Sequence, residues 1–296
     1  MELSEARGKL VAIGGGDISE GDAPLLKEFV KLARGARARV VVMTVATDDP
    51  QAAAAQYKDA FKRLGVDDVK AVDVSKRADA LKPDSLEAIE HATGLFFTGG
   101  DQLHITSMIG GTEMQALMHR RYERGLVIGG TSAGAAMMSN SMIVGGDGDD
   151  NPKVGAVEIG PGMDLVIGAL IDTHFSQRGR FGRLLTAVAH YPQDMGIGID
   201  EETALIVNKN EFEVAGKGAV TVIDGGAMTY TSLPYAEAGD GLSLYGVSVH
   251  VLAAGSRFDL ANRRPIEAEE KRKSAKSSED GGKPDVKKPR SRRAGR

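Results

Sequence analysis

The sequence contains no cysteine, no long apolar run and no signal-like N-terminus. Without cysteine the chain has no disulfides, thiolate nucleophiles or cysteine-ligated metal sites, which fits a reducing compartment. No stretch approaches the roughly 18 consecutive apolar residues of a membrane span, and no basic region precedes an apolar segment at residues 1–5. We therefore expect a cytoplasmic protein that makes no use of a membrane.

The main body of the chain also lacks the positive charge of a nucleic-acid-binding protein. Residues 266–296 contain 11 Lys and Arg against 6 Asp and Glu, so the formal net charge of −4 leaves about −9 on residues 1–265. No nucleic-acid partner is therefore expected. Residues 1–265 are predicted to form one domain. The basic segment 266–296 has few apolar residues and is predicted to be a disordered tail that follows this domain.

Short apolar runs separated by amphipathic segments indicate the fold class. The runs of the first half lie at residues 9–13, 39–45, 69–74, 95–98 and 126–128. This alternation predicts an α/β fold with a mostly parallel central sheet and helices on both faces. Further strands that extend the same domain are predicted at residues 196–200, 204–208, 211–215, 219–223, 227–229 and 244–252.

The strongest local motif is a G-x-S-x-G sequence centred on Ser132, between the predicted strand 126–128 and a run of small residues. This is the context of a nucleophile elbow, a sharp turn that exposes the serine hydroxyl. The N–H of Ala133 would lie beside that hydroxyl and could stabilise an oxyanion. An ordinary tight turn with a hydroxyl at the helix N-cap is the alternative interpretation.

Two glycines, Gly99 and Gly100, end the predicted strand 95–98 at the same carboxyl edge of the sheet, where open α/β sheets bind ligands. We assign the N–H of Gly100 as the second oxyanion donor. The alternative is a simple strand-to-helix turn in which Asp101 caps the helix.

A base and an orienting acid are both available at this edge. Of six histidines, His174 follows an apolar run and is the best candidate for a general base. Three carboxylates, Asp200, Glu201 and Glu202, close the next predicted strand, and the spacing does not choose among them. Asp172, two residues before His174, is either a competing acid or a substrate ligand.

Arginine is concentrated in the segment 178–183. Arg180 and Arg183 are three residues apart and would share one face at the start of a helix, where positive charge opposes the helix dipole. Carboxylates of an acidic substrate would explain the cluster, and a solvated basic turn is the alternative. A dinucleotide site at Gly14–Gly16 is disfavoured because the sixth position of G-x-G-x-x-G is Ser19.

Assembled in order, these segments resemble the cyanophycinase family, relatives of dipeptidase E with a class I glutamine amidotransferase-like fold. The resemblance covers roughly residues 7–265. It is carried by Gly14-Gly15-Gly16, Gly99-Gly100-Asp101-Gln102, Gly130-Thr131-Ser132-Ala133-Gly134, Asp172-x-His174-Phe175 and Arg178-x-Arg180-x-x-Arg183.

The resemblance implies a serine exopeptidase with the triad Ser132, His174 and Glu201, no metal and no other cofactor. The implied substrate is cyanophycin, a polyaspartate carrying arginine on each β-carboxyl, which is released as β-aspartyl-arginine dipeptides. A homodimer is also implied. The residues implied to line the substrate groove are Gln102, Asp172, Thr173, Arg178, Arg180 and Arg183, and position 173 departs from the family because Gln is expected there.

Two other functions are compatible with the same motifs. A related aspartyl dipeptidase would share the triad but would need a short pocket for a free N-terminus. A non-catalytic binding module could keep the fold and the groove without turnover. The arginine cluster opposes the first alternative, and the complete set of Ser, His and acid opposes the second.

Overall fold

Alternating apolar residues along the first strands face two different cores. Val11, Val40 and Val42 pack with the first two helices, whereas Leu10 and Val41 pack with the next three. Successive side chains of a strand point to opposite faces of a sheet, so this alternation places helices on both faces. The predicted α/β fold with a mostly parallel central sheet is confirmed.

The computed structural model describes residues 7–16, 19, 21–146 and 151–267. The tail that is predicted to be disordered lies outside the described residues, apart from Ile266 and Glu267. The described α-helices are α1 Pro24–Leu32, α2 Pro50–Arg63, α3 Pro83–His91, α4 Gln102–Ile109, α5 Glu113–Glu123, α6 Ala133–Ala136 and α7 Phe181–His190. Short 3₁₀ turns cover Gly35–Arg37, Arg77–Leu81 and Leu233–Tyr235.

The strands fall into two groups along the chain. The first group is β1 Leu10–Ile13, β2 Arg39–Met43, β3 Asp68–Val72, β4 Gly94–Phe97, β5 Val127–Thr131, β6 Ser141–Gly145, β7 Glu158–Pro161, β8 Ala169–Thr173 and β9 Met195–Ile199. The second is β10 Thr203–Asn208, β11 Glu211–Gly216, β12 Ala219–Asp224, β13 Tyr230–Thr231, β14 Leu244–Tyr245, β15 Ser248–Ala253, β16 Arg257–Asp259 and β17 Arg264–Ile266.

Nine of these strands form the central sheet, in the order β17-β16-β11-β10-β1-β5-β4-β2-β3. The five strands from β1 to β3 in this order are parallel, and β10, β11 and β16 add an antiparallel extension. The parallel part brings the carboxyl ends of β4 and β5 side by side, so that Gly100 and Ser132 emerge at the same edge.

A second sheet of four strands, in the order β15-β12-β9-β8, positions the candidate base and acid. Strands β8 and β9 are parallel neighbours, with Thr173 opposite Ile199. His174 follows the first strand and the carboxylates 200–202 follow the second. Each therefore enters the site from the end of a buried strand.

Two of the predicted C-terminal strands were placed wrongly. Residues 227–229 are not a strand, and the nearest strand is β13. The predicted strand 244–252 is divided into β14 and β15 at Gly246, whose φ of 80° is left-handed. Apolar content alone did not show this break.

No helix among the described residues is long and apolar enough to cross a membrane.

Candidate active site

Ser132 lies on a strained turn directly after β5. Its φ of 53° and ψ of −113° lie outside the regions that residues with a side chain usually adopt. Its N–H donates to Ile13 O at 2.9 Å, and its own carbonyl accepts from the N–H groups of Ala135 and Ala136 at the start of α6. These bonds hold the strand-to-helix elbow in place.

Close packing explains both glycines of the G-x-S-x-G motif. A Cβ atom on Gly130 would lie 2.2 Å from Gly134 O, and one on Gly134 would lie 2.5 Å from Phe97 O. Neither position has room for a larger residue. Both glycines of the motif are therefore required by the packing of the elbow.

The hydroxyl of Ser132, the imidazole of His174 and the carboxylate of Glu201 form one chain of hydrogen bonds. His174 Nε2 lies 2.9 Å from Ser132 Oγ, and His174 Nδ1 lies 2.6 Å from Glu201 Oε1. With Nδ1–H donating to the carboxylate, Nε2 is left to accept the serine proton. The structure thus brings together the three residues predicted as a triad.

The turn after β9 distributes its three carboxylates among different partners. Glu201 bonds to His174, whereas Asp200 accepts from the backbone N–H groups of Ser176 and Ala219, both at 3.1 Å. Glu202 pairs with Lys217 at 3.0 Å. The residue pattern alone did not identify which of the three carboxylates orients His174. The contacts of the side chains distinguish them, since Glu201 is the one that bonds to the imidazole.

Burial lowers the pKa of His174 below its ordinary value of 6.5. The hydrogen bond that His174 donates to Glu201 opposes this shift, while the positive charges of Arg178 and Arg180 reinforce it. The imidazole is therefore neutral at physiological pH. A neutral imidazole is the form that can act as a general base.

The glycine tract after β1 forms the wall behind the imidazole. A Cβ atom on Gly15 would lie 2.2 Å from His174 Cε1. His174 N–H donates to Gly14 O at 2.7 Å, and Glu202 N–H donates to Gly15 O at 3.0 Å. The tract joins the two sheets at the site, a role that its sequence did not suggest.

A cleft of about 310 Å³ opens beside Ser132. Its walls contain every side chain predicted to bind substrate, namely Gln102, Asp172, Thr173, Arg178, Arg180 and Arg183, together with Gly100. A larger groove of about 560 Å³ lies at the β3 edge, away from these residues. We take the smaller cleft as the candidate site because the hydrogen-bonded serine lines it.

Asp172 lies at the centre of the arginine cluster. Its carboxylate accepts from Arg183 Nε at 2.8 Å and from Arg183 Nη2 at 2.5 Å, and Arg183 Nη1 donates to Gly146 O at 2.8 Å. Arg180 Nη1 lies 3.3 Å from the same carboxylate and donates to Thr173 O at 2.6 Å. Arg183, which is 5% exposed, therefore has an acidic partner within the chain.

Arg180 and Arg178 are more accessible than Arg183. Partial burial lowers the pKa of Arg180 to about 10, so its guanidinium is still charged at neutral pH. Arg178 is exposed. Both cations line the cleft and are better placed than Arg183 to meet an anionic group of a ligand.

Two backbone N–H groups beside Ser132, those of Gly100 and Ala133, could donate to an oxyanion. Among the hydrogen bonds of the described residues, none uses the N–H of Gly100 or of Ala133. Asp101 caps α4 by accepting from the N–H of Leu103. The segment 99–102 is therefore also the strand-to-helix turn that the sequence offered as the alternative. Gln102 Nε2 donates to Ile143 O at 2.7 Å, which ties the start of α4 to β6.

A strained serine on an elbow, a neutral imidazole and an orienting carboxylate at the edge of an α/β sheet are the arrangement of a serine hydrolase. The family model described as Peptidase family S51 matches residues 10–215. The chain belongs to this family of serine-type peptidases.

Two relatives agree with this assignment, and a solved structure agrees with the fold. A cyanophycinase of Geminocystis herdmanii is 35% identical over 88% of this chain and 96% of its own length, and one of Trichormus variabilis is 32% identical over 88% of each chain. The fold is similar to that of a peptidase from an acI-B1 Actinobacterium, with a TM-score of 0.64 and 20% identity over 86% of this chain and 98% of the other.

Proposed function

We propose that the chain is an exopeptidase that hydrolyses cyanophycin to β-aspartyl-arginine dipeptides through an acyl-enzyme on Ser132. The observation that carries this proposal is the hydrogen-bonded chain of Ser132, His174 and Glu201 at the wall of an arginine-lined cleft. The two cyanophycinases named above, at 32–35% identity over most of their length, support the choice of substrate.

In the proposed mechanism each proton moves along the hydrogen bonds that join Ser132, His174 and Glu201. Ser132 Oγ attacks the scissile carbonyl while its proton passes to His174 Nε2, and Glu201 stabilises the imidazolium. The N–H groups of Gly100 and Ala133 stabilise the oxyanion. His174 then protonates the leaving amine, and a water activated by His174 hydrolyses the ester and regenerates the serine.

We assign the cleft residues as substrate contacts in two groups. Arg178 and Arg180 would bind the free α-carboxylates of the polymer's arginine residues, since charged donors form strong hydrogen bonds with such groups. Asp172 would hold Arg180 and Arg183 in place. Gln102 and Thr173 would contact the peptide groups, with the shorter Thr173 making one contact fewer than the Gln expected in this family.

The aspartyl dipeptidase alternative is tested by comparing substrates of different length. The open, arginine-lined cleft favours the polymer, so kcat/KM for cyanophycin should exceed that for short Asp-containing peptides by orders of magnitude. The reverse ranking would favour the dipeptidase. Labelling by a fluorophosphonate probe separates either peptidase from a binding module, because an activated serine is required.

We expect activity to fall at acidic pH with an apparent pKa below 6.5. His174 must be neutral to accept the Ser132 proton, and burial lowers its pKa, so kcat/KM should hold from pH 8 to about pH 6.5 and fall as pH drops further. Arg178→Gln removes a positive charge that lowers this pKa and should move the acidic limb to higher pH. A flat profile between pH 5 and 8 in the wild type would contradict a histidine base.

A homodimer and a cytoplasmic location, both predicted above, complete the proposal. Light scattering of the purified protein would test the first and cell fractionation the second. Neither affects the chemistry assigned to the site.

A further inference from the structure

The two turns that carry His174 and Glu201 are tied together by reciprocal hydrogen bonds. From the acid turn, Asp200 Oδ1 accepts from the N–H of Ser176 at 3.1 Å. From the histidine turn, Gln177 Oε1 accepts from the N–H of Glu201 at 3.0 Å. Each turn therefore contributes one side-chain acceptor to a backbone donor of the other.

Asp200 also fixes the acid turn to the second sheet. Its other oxygen, Oδ2, accepts from the N–H of Ala219 at 3.1 Å, and its own N–H donates to Ala219 O at 3.2 Å. A Cβ atom on Gly218 would lie 2.8 Å from Asp200 Cβ, so this carboxylate is closely packed at the start of β12. One side chain thus connects β12, the acid turn and the histidine turn.

We infer that Asp200 and Gln177 are positioning residues that hold Glu201 at hydrogen-bond distance from His174. Glu201 is about one third exposed, so its side chain is not fixed by burial alone, and the backbone at His174 is in a left-handed conformation with φ of 48°. Cross-links between the turns supply the missing constraint. Small misplacements of catalytic groups are costly to the rate.

Removing these contacts should change both the rate of reaction at Ser132 and the pKa of the His174 imidazole. Contact with Glu201 raises the pKa of His174 against the lowering by burial, Arg178 and Arg180. When the cross-links are removed, Glu201 should spend less time on Nδ1. His174 should then be a weaker base that titrates at lower pH.

This inference rests on the proposed nucleophile, so its test uses a readout that is independent of cyanophycin. The rate of Ser132 labelling by a fluorophosphonate probe is measured from pH 4.5 to 9 for Asp200→Asn and Gln177→Ala. Both should label about tenfold more slowly at pH 8, with the acidic limb moved to lower pH. Gln177→Glu keeps an acceptor oxygen and should recover most of the rate.

Ser176→Ala is the matched control. Ser176 contributes only its backbone N–H to the contact with Asp200, and alanine keeps that group. This variant should therefore be labelled at the wild-type rate. Gln177 is exposed, so its variants test the inference even if Asp200→Asn folds poorly. Wild-type labelling in both variants, or slower labelling with an unmoved acidic limb, would overturn the inference. If the wild-type protein is labelled by the probe but releases no dipeptides from cyanophycin, the proposed substrate is wrong and the positioning role still stands.

Discussion

Replacing Ser132 with alanine should lower turnover of cyanophycin by about 10⁴-fold or more while the fold and polymer binding are retained. Acyl transfer needs the hydroxyl, whose described hydrogen-bond partner is His174. Alanine keeps a Cβ atom, so it meets the same backbone strain at the elbow as serine does.

Turnover, melting temperature and polymer binding of Ser132→Ala are measured side by side with those of the wild type. The expected pattern is loss of turnover with unchanged melting temperature and affinity. Activity of the variant within tenfold of wild type would contradict the nucleophile assignment. Loss of folding would instead show that the hydroxyl is needed by the elbow.

Replacing Arg183 with methionine should destabilise the protein, because it leaves the buried carboxyl group of Asp172 without its bidentate partner. Breaking a buried ion pair from one side costs about 3–5 kcal/mol. In a domain of this size such a loss lowers the melting temperature by roughly 10 °C. Calorimetry of the purified variant measures this shift.

Two further variants make the measurement specific. Asp172→Asn combined with Arg183→Met removes the buried charge and should be more stable than Arg183→Met alone. Arg180→Met leaves the Asp172–Arg183 pair intact, so it should melt closer to wild type and mainly raise KM for cyanophycin. An unchanged melting temperature with raised KM in Arg183→Met would identify Arg183 as a direct substrate ligand instead.

The parallel core and the nucleophile elbow could be predicted from sequence because both depend on local patterns. Unbroken apolar runs specify buried parallel strands, and G-x-S-x-G between a strand and small residues specifies the turn at Ser132. Carboxyl ends of neighbouring parallel strands meet at one edge, which also predicted the proximity of Gly100 and Ser132.

The electrostatics of the arginine cluster could not be predicted in the same way. The sequence places the positive charges of Arg180 and Arg183 at the start of α7, where they oppose the helix dipole. A carboxylate of the substrate was the simplest explanation for these unfavourable charges. The structure supplies an internal carboxylate, Asp172, which lies eleven residues before Arg183 on β8. Pairing between a strand and the following helix depends on tertiary packing that sequence spacing does not encode.

The second sheet was also beyond the reach of sequence patterns. Short strand-like runs after residue 195 do not specify whether they join the central sheet or pair with one another. Strands β8, β9, β12 and β15 pair separately, and β10, β11 and β16 extend the central sheet. Strand choice depends on contacts between distant segments, and here it determines where the base and the acid enter the site.

Mass spectrometry of the products released from purified cyanophycin is the most direct test of the central claim. The wild-type protein should release β-aspartyl-arginine dipeptides, and Ser132→Ala, prepared in the same way, should release none. Release of free arginine, or equal release by wild type and Ser132→Ala, would contradict the proposed exopeptidase. Absence of any product, with normal cleavage of short aspartyl peptides, would contradict the proposed substrate.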